Sequence, residues 1–394
     1  MSLLVPPGST IGLFGGGQLG RMVALAARPL GYRVHLLDPD PDCAARPVAD
    51  RCLTAAFDDA AAAAELARGC DVVTLEIEKV SQASLEAAAR HAPVRPGPAV
   101  LAVVRDKRRQ KDWLAGNGFP VGPYRHADSV LELERAVGEL GGPCFAKAAM
   151  GGYDGRGQLL VARADLAAAA WQELGGGPLL VERVLDLELE LSVLVARRPG
   201  GESAVYPIPL NRHERQVLAW SVLPGRLPEG VSRQAEELGR AIAEALGVEG
   251  LLAVELFRTR DGWLLVNELA PRPHNTFHGT LEACLTSQFE QLVRAVCDLP
   301  LGSVEVLRPT AIVNVFGDLW SSAGAPDFAA ALEIPGVRLH LYGKEPRPGR
   351  KVGHLAAVAD SADEAVRRVL EAAGRLRRDP AEPPAREGAP GSTG

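Results

Sequence analysis

Two glutamates spaced to face each other are the first feature of this sequence that suggests chemistry. Glu255 and Glu268 each stand inside an apolar run, and the runs flank Asp261-Gly262, a dipeptide typical of two-residue hairpin turns. With that turn at the centre, the two carboxylates pair directly across the hairpin. Like charges so placed are destabilising unless a cation compensates them. Because Mg²⁺ usually binds through one or two carboxylates plus substrate phosphates, the pair predicts a metal site.

The segment after the hairpin adds side chains suited to anions. Arg272 can hold a carboxylate or phosphate through two parallel hydrogen bonds, and His274 follows two residues later. Strict alternation places Asn267 on the face opposite Glu268, so a metal role for Asn267 requires a bulge or a strand end. Solvated glutamates on an edge hairpin, followed by a plain loop, are the alternative interpretation.

A glycine-rich segment follows Lys147. Residues 151–157 contain four glycines and lie between strand-like runs at 144–148 and 158–162. Glycine lets the backbone approach a ligand closely, so this loop could fold over phosphates while Lys147 supplies a point charge. The tyrosine, aspartate and arginine within the loop favour this interpretation over a hairpin whose lysine is merely solvated.

A second glycine loop lies near the N-terminus. Gly15, Gly17 and Gly20 form a G-x-G-x-x-G between a strand and a helix, and Asp38 ends the next strand. Backbone N–H groups at a helix start attract phosphates and carboxylates. Three interpretations remain open at this point: a dinucleotide site, a site for a phosphate-bearing substrate, and glycines that only allow close packing of the helix on the sheet.

A basic turn near the C-terminus is the last candidate. Lys344, Arg347, Arg350 and Lys351 lie within eight positions that also contain two prolines and a glycine. Such a cluster could grip a phosphomonoester. A solvated basic turn is equally compatible with the sequence.

The composition is that of a globular protein with more than one domain. The chain has 394 residues, of which 47% are hydrophobic and 23% charged. Its net charge of −6 offers no general basic face, so no nucleic-acid partner is expected. Six scattered cysteines without a C-x-x-C pair suggest reduced thiols. Because no signal sequence or membrane-length apolar run is visible, we expect a cytoplasmic protein without a membrane partner.

The pattern of secondary structure divides the chain into blocks. Strand-like runs at 10–14, 33–37 and 71–75 alternate with helical stretches at 18–30 and 58–68, which predicts a parallel sheet covered by helices. From residue 107 onward strand-like runs dominate and predict mainly antiparallel pairs. The predicted units are residues 1–106, 107–300 and 301–375, followed by a disordered tail at 376–394.

Taken together, these motifs resemble the ATP-grasp superfamily, and within it the 5-(carboxyamino)imidazole ribonucleotide synthases. The resemblance covers nearly the whole chain, short of the tail, and the motifs occur in the family's order. They are Gly-Gln-Leu-Gly-Arg-Met at 17–22, Gly-Gly-Tyr-Asp-Gly-Arg-Gly-Gln at 151–158, Asn-Glu-Leu-Ala-Pro-Arg-Pro-His-Asn at 267–275, Thr-Ser-Gln-Phe-Glu-Gln at 286–291 and Arg-Pro-Gly-Arg-Lys-Val-Gly-His at 347–354.

The resemblance implies a fold and an activity. The expected fold, α/β and α+β, has an N-terminal Rossmann-like parallel-sheet domain, a central ATP-grasp domain and a small mixed C-terminal domain. The expected activity is that of a carbon–nitrogen ligase that carboxylates 5-aminoimidazole ribonucleotide with bicarbonate, in purine biosynthesis. ATP would be consumed through a carboxyphosphate intermediate, with Mg²⁺ as the metal and Mn²⁺ as an alternative. A homodimer is also implied, as is a mobile lid at about 120–178 within the central domain.

The resemblance also assigns roles to individual residues. The ATP site would comprise Lys107, Lys147, Tyr153, Asp154, Gly155, Arg156, Gly157, Gln158, Glu182, Arg183, Val184, Leu185, Glu190, His213, Asn267 and Glu268, with Glu255 and Glu268 on the metal. The ribonucleotide would meet Gln18, Leu19, Glu76 and Asn275, and its phosphate would meet Lys344, Arg350 and Lys351. Tyr153, Arg156, Arg272 and His274 would surround the bicarbonate and the transferred carboxyl.

Some positions depart from the family's pattern, and rival functions remain. Lys79, residues 148–150 and Gly279 replace residues of other types, and each could tune affinity or lid closure. One rival is the formate-using ATP-grasp enzyme acting on glycinamide ribonucleotide. The others are a nicotinamide dehydrogenase built on the first glycine loop, and a catalytically silent ATP-binding regulator.

Overall fold

The N-terminal part of the chain is a four-stranded parallel sheet flanked by helices. The computed structural model describes residues 4–151, 157–214, 217–321 and 324–377. All neighbouring strands run parallel in the order β3-β2-β1-β4, so the predicted parallel sheet is confirmed. The elements are β1 (Thr10–Phe14), α1 (Gln18–Ala27), β2 (Arg33–Asp38), β3 (Arg51–Thr54), α2 (Ala60–Arg68), β4 (Val72–Leu75), α3 (Gln82–Ala89) and α4 (Pro98–Val104).

The register of this sheet decides which loops meet. Phe14 pairs with Leu37 and with Leu75, so the next residue of each strand emerges at the same carboxyl edge. The first glycine loop, Asp38 and Glu76 therefore converge there. Open α/β sheets bind ligands outside the carboxyl ends of their strands.

A small antiparallel sheet follows, with strands in the order β5-β8-β6-β7. Ser129 begins its main helix, since its Oγ accepts a hydrogen bond from the N–H of Glu132 at 3.2 Å. The elements are α5 (Lys107–Gly116), β5 (Tyr124–Ala127), α6 (Val130–Leu140), β6 (Cys144–Ala148), β7 (Gln158–Val161), α7 (Ala167–Glu173) and β8 (Leu179–Arg183).

The rest of the described chain is built on one long antiparallel sheet, in the order β14-β13-β9-β11-β12-β15-β17-β16, with β10 beside β9. The C-terminal strands therefore continue the central sheet through the pair β12–β15. The elements are β9 (Leu187–Arg197), β10 (Ser203–Val205), β11 (Leu210–Glu214), β12 (Val217–Leu223), α8 (Val231–Ala245), β13 (Gly250–Thr259), β14 (Leu264–Ala270), α9 (Thr280–Ala283), α10 (Gln288–Val296), β15 (Thr310–Phe316), α11 (Phe328–Leu332), β16 (Val337–Leu341), β17 (Lys351–Val358) and α12 (Ala362–Arg375).

Shared cores hold these units together. One cluster of buried side chains contains both Phe14 of β1 and Val254 of β13, so the parallel sheet and the long sheet pack against each other. Leu376, just after α12, is only 1% exposed and packs in the C-terminal core, so ordered structure extends past residue 375. Within the described ranges no helix combines the length and the apolar character needed to cross a bilayer.

Candidate active site

The two glutamates face each other on β13 and β14, as predicted. The predicted two-residue turn between them is wrong, however. The N–H of Thr259 donates to the carbonyl of Trp263 at 2.9 Å, so three residues, 260–262, form the loop, and Gly262 adopts a φ of +91°. Three-residue loops with a glycine of positive φ are a common hairpin connection.

A bulge at Asn267 restores the pairing that the longer loop shifts by one residue. Leu256 pairs with Val266, and the next pair is Glu255 with Glu268, so Asn267 is the extra residue. The bulge brings the Asn267 side chain to the same face, where its Nδ2 donates to Oε2 of Glu255 at 3.0 Å. Asn267 therefore joins the glutamates, which strict alternation does not allow.

Positive side chains already surround the carboxylate pair. Nε2 of His274 lies 3.1 Å from Oε1 of Glu255, and the ammonium of Lys107 pairs with Glu268. Burial by itself raises the pKa of Glu255, but the bond from His274, its charge, and nearby His213 and Asn267 together lower that pKa to about 2. Glu255 is thus ionised across the neutral pH range, as a metal ligand must be.

A buried cluster of two lysines and one glutamate lies beside the hairpin. The Glu182 carboxylate is 2.5 Å from Nζ of Lys147 and 2.7 Å from Nζ of Lys111. Burial raises the pKa of Glu182, yet the two ammonium groups outweigh it and lower that pKa to about 2. Lys147 also donates to Oδ1 of Asn267 at 3.4 Å, which connects the cluster to the glutamate pair of the hairpin.

Lys111 is a site residue that sequence reasoning missed. Its side chain is 2% exposed, and its ammonium also donates to the carbonyl of Asn267 at 3.0 Å. Burial lowers the pKa of Lys111. At Lys147 burial also acts to lower the pKa, but the charge and hydrogen bond of Glu182, with Glu268 and Glu255, together raise it. A signal was available, because Lys107 and Lys111 are four residues apart on α5 and so share one helix face.

The other predicted ATP-site residues lie at the neighbouring strand ends. Glu190 and His213 contact each other, with Oε2 and Nδ1 2.7 Å apart. Arg183 ends β8 and is exposed, while residues 184–185 begin the connection to β9. Gly157 hydrogen-bonds to Ala148, and Gln158 pairs with Lys147. The predicted Tyr153, Asp154, Gly155 and Arg156 lie outside the described residues.

The first glycine loop is occupied by the protein's own carboxylates. The N–H of Gly16 donates to Asp38 at 2.6 Å, and the N–H of Gly17 donates to Oε1 of Glu76 at 2.7 Å. A dinucleotide pyrophosphate needs those same N–H groups and would be repelled by both carboxylates. The geometry therefore disfavours the dinucleotide interpretation.

Replacing Gly15 by alanine is expected to destabilise the protein by about 2–4 kcal/mol, because a Cβ would force both backbone strain and overpacking. Gly15 has a φ of +98°, and an added Cβ would lie 2.6 Å from Cγ of Glu76. Denaturant unfolding measures the effect. Gly138 is the matched control: it lies exposed in α6 with no atom near its Cβ position, so Gly138→Ala should stabilise by about 0.5–1 kcal/mol. A Gly15→Ala protein as stable as the wild type would contradict this account.

Glu76 should make stability depend on pH. Burial raises its pKa from 4.5 to about 7, against the opposing effects of Gly17, Lys344, Arg272 and Gly20. The folded protein then binds more protons than the unfolded chain between those values, so the unfolding free energy falls as pH rises from 4.5 to 7. The expected loss is about 3 kcal/mol. Urea unfolding of the wild type and of Glu76→Gln across this pH range tests the prediction, because the variant should lack the pH dependence that Glu76 contributes. If the unfolding free energies of the two proteins change with pH in parallel, the prediction is wrong.

Two long-range contacts join the glycine loop to the rest of the site. The ammonium of Lys344, in the basic turn, hydrogen-bonds to the side-chain oxygen of Gln18. Nε of Arg272 pairs with Glu78 at 2.7 Å. Burial lowers the pKa of Arg272, but the carboxylates of Glu78, Glu76 and Glu268 raise it above its usual value. Arg272 is thus within electrostatic reach of Glu76 at the glycine loop and of Glu268 on the hairpin.

The remaining predicted substrate residues lie around this junction. Lys351 begins β17 and pairs with Phe316, and Nη1 of Arg350 donates to the carbonyl of Glu345 at 3.2 Å. Asn275 begins a short 3-10 helix directly after His274. The Leu19 side chain packs into the core, so only its backbone can face a ligand.

The donor set at the hairpin fits a divalent cation. Two opposed carboxylates, with the Asn267 amide beside them, provide oxygen ligands and leave other positions for phosphate oxygens, which is the arrangement that Mg²⁺ prefers. No group of three or more His, Cys, Asp or Glu side chains suited to a metal occurs in the described ranges. A binding site here would therefore depend on the nucleotide for part of its coordination.

Comparisons with known proteins agree with this geometry. Three family models match in order: the ribonucleotide synthetase preATP-grasp domain over residues 9–105, the ATP-grasp domain over 112–289, and the phosphoribosylaminoimidazole carboxylase C-terminal domain over 310–368. The N5-carboxyaminoimidazole ribonucleotide synthase of Bacillus subtilis is 38% identical over 371 residues, which cover 93% of this chain and 96% of that protein.

Solved structures of similar proteins indicate the same family. The N5-carboxyaminoimidazole ribonucleotide synthetase from Thermus thermophilus is 37% identical with a TM-score of 0.85, covering 95% of this chain and 99% of that one. The Aspergillus clavatus enzyme, in complex with ADP and 5-aminoimidazole ribonucleotide, is 31% identical with a TM-score of 0.85, covering 93% and 98%. The chain therefore belongs to the N5-carboxyaminoimidazole ribonucleotide synthase family of ATP-dependent ligases.

Proposed function

We propose that this chain uses ATP and bicarbonate to carboxylate 5-aminoimidazole ribonucleotide, giving 5-(carboxyamino)imidazole ribonucleotide for IMP synthesis. The observation that carries the proposal is that the first glycine loop, the basic turn and the glutamate hairpin lie close together. Lys344 of the basic turn bonds to Gln18 of the first glycine loop, and Arg272 lies within reach of both Glu76 and Glu268. These contacts support a site in which a phosphate-bearing substrate at the glycine loop would lie beside a nucleotide at the hairpin.

The proposed reaction has two steps. A bicarbonate oxygen attacks the γ-phosphorus of ATP, the bond to the β,γ-bridging oxygen breaks, and ADP leaves carboxyphosphate behind. The exocyclic amine of the ribonucleotide then attacks the carboxyl carbon, phosphate departs, and the nitrogen loses a proton. Phosphoryl transfer of this kind depends chiefly on positioning and charge neutralisation, which this concentration of cationic and anionic side chains can supply.

Each group of residues would have its own role. Glu255 and Glu268 would hold Mg²⁺, which would neutralise charge on the ATP phosphates. Arg272 and His274 would surround the bicarbonate together with Tyr153 and Arg156. The nucleotide would meet Lys107, Lys111, Lys147, Asn267, residues 153–158 and 182–185, Glu190 and His213; the ribonucleotide would meet Gln18, Leu19, Glu76 and Asn275, and its phosphate would meet Lys344, Arg350 and Lys351.

Bicarbonate-dependent ATP hydrolysis, measured with and without 5-aminoimidazole ribonucleotide, tests the function. We expect phosphate release to be stimulated by that nucleotide and to require bicarbonate. Glycinamide ribonucleotide with formate serves as the comparison, and it should give no stimulation. Stimulation by the formate pair alone would favour the rival ligase, while phosphate release unaffected by either pair would leave only an ATP site.

The assembly and domain motion belong to the same proposal. We expect a homodimer in the cytoplasm, so light scattering should give twice the 41.7 kDa mass of one chain. The segment at about 120–178 is proposed to close over the nucleotide as a lid within a central unit of 107–300. Slower hydrogen exchange in that segment on addition of Mg²⁺-ATP is the expected result, and unchanged exchange would argue against closure.

A further inference from the structure

Three histidines, two of them buried, form a stack that has no role in the function proposed so far. We call His278, His354 and His340 the histidine stack. The ring centres of His278 and His354 are 4.9 Å apart, and those of His354 and His340 are 4.5 Å apart and nearly parallel, at 12°. His278 is 1% exposed and His354 is fully buried. Most buried polar groups are hydrogen-bonded, so the partners of these rings indicate what the rings hold in place.

One side of the stack closes the base of the basic turn. The hydroxyl of Tyr342 lies 2.7 Å from Nδ1 of His354. Tyr342 is two residues before Lys344, and His354 is three residues after Lys351, so this contact joins the two ends of the segment that carries the cations. Tyr342 is itself only 1% exposed, which shields the bond from water. The contact therefore adds a buried side-chain link to the β16–β17 backbone pairing that closes the same segment.

The other side of the stack reaches the metal hairpin through Gln288. Its Oε1 accepts from the N–H of His274 at 2.8 Å, and its Nε2 donates to the carbonyl of His274 at 3.0 Å. The same Nε2 lies 3.1 Å from Nδ1 of His278. Because a backbone N–H can only donate, the amide orientation is fixed and Nδ1 of His278 must accept. His274 in turn contacts Glu255 at 3.1 Å.

The surroundings keep the central rings uncharged. Burial, together with the charges of Lys351, His274, His340 and Arg272, lowers the pKa of His278 to about 3. Burial likewise lowers the pKa of His354 well below its usual value. At the far end, Nε2 of His340 contacts Oε1 of Glu282 at 2.6 Å. Neutral rings can pack close to Lys351 without repelling it.

We propose that the histidine stack, with Tyr342 and Gln288, is a positioning network that holds the basic turn at a set distance from His274 and Glu255. This inference rests on the proposed function, in which the turn binds the substrate phosphate. The network would set the separation between that phosphate and the nucleotide at the hairpin, and misplacement of a bound substrate by about 1 Å can cost a large factor in rate.

Tyr342→Phe tests the network, because it removes one hydroxyl and little volume. Calorimetric titration with 5-aminoimidazole ribonucleotide, in the presence of Mg²⁺ and a non-hydrolysable ATP analogue, should show binding weakened about five- to tenfold, the effect of one lost hydrogen bond. Affinity for the ATP analogue should change less than twofold. The matched control is Tyr32→Phe, which removes another buried hydroxyl, bonded to the carbonyl of Val5 at 2.6 Å, and should leave both affinities unchanged.

The outcomes separate the network from a structural role and from the proposed function. If Tyr342→Phe binds the ribonucleotide as tightly as the wild type, the network is overturned, whatever its melting temperature. Equal weakening by Tyr32→Phe would overturn it as well, since general destabilisation would then suffice. A wild-type protein that binds the ATP analogue but no ribonucleotide would instead overturn the proposed function, and this inference with it. His354→Asn, whose amide can take the place of Nδ1, should stay within about threefold of wild type.

Discussion

Replacing Glu255 by glutamine is expected to lower kcat for bicarbonate-dependent ATP hydrolysis about 100- to 1000-fold, the usual cost of removing one preorganised electrostatic contact from a transition state. Glutamine keeps the size of the side chain and can still bond to Asn267, but it removes the negative charge opposite Glu268. A divalent cation would then be left with one carboxylate. The Mg²⁺ concentration needed for half-maximal rate should rise in parallel.

The control for this substitution is an exposed glutamate of the same sheet-and-helix unit. Glu244 lies on the exposed face of α8, so Glu244→Gln should leave both the rate and the Mg²⁺ dependence unchanged. Melting temperatures of the two variants show whether folding is affected, because Glu255→Gln also removes the ionic partner of His274. A folded Glu255→Gln enzyme that keeps more than a tenth of the wild-type rate would rule out the metal role.

Replacing Lys344 by alanine is expected to raise the KM for 5-aminoimidazole ribonucleotide about 10- to 100-fold, the range for a lost hydrogen bond between charged groups. Lys344 is partly buried and is held against the first glycine loop by its bond to Gln18. Its charge also lowers the pKa of Glu76. Loss of the ammonium therefore removes a phosphate contact and leaves the Glu76 carboxylate less compensated. Steady-state kinetics at saturating ATP and bicarbonate measure the effect.

Arg347 provides a control within the same turn. It is exposed, and its guanidinium pairs with Glu345 at 2.5 Å, so it is directed along the turn's own surface. Arg347→Ala should change the ribonucleotide KM less than twofold. Equal effects of the two substitutions would indicate that the turn acts only through its general positive field. If Lys344→Ala leaves the ribonucleotide KM unchanged, the basic turn is not part of the substrate site.

Local patterns in the sequence predicted many of the elements well. Strand β1 has the predicted bounds, and Ser129 and Ser361 begin their helices by accepting hydrogen bonds from the N–H groups of Glu132 and Glu364. These features depend on hydrophobic periodicity and on hydrogen bonds between residues three or four apart, which a sequence contains in full. Family motifs added the ATP-grasp fold and the ligase activity, both of which the comparisons support.

Contacts between distant residues could not be derived in the same way. Sequence patterns alone did not show that β15 would extend the central sheet, because strand order depends on which exposed edge is available once the other elements have packed. Nor did they show Lys111 buried against Glu182, 71 positions later in the chain. Residues of β3 and of β10–β12 lacked a clear alternating pattern of their own and are held in place mainly by neighbouring strands.

The glutamate pair shows which features the sequence determines and which require the tertiary structure. The sequence by itself determined that Glu255 and Glu268 belong to one hairpin, since the turn signal and apolar runs are local. Only the tertiary structure decided how they come to face each other: a three-residue loop shifts the register, and a bulge at Asn267 shifts it back. The same holds for Glu76, whose carboxylate fills the first glycine loop because parallel strands deliver both to one sheet edge. The register between strands, and which residues meet at one edge of a sheet, are properties of assembled strands, so a single segment cannot specify them.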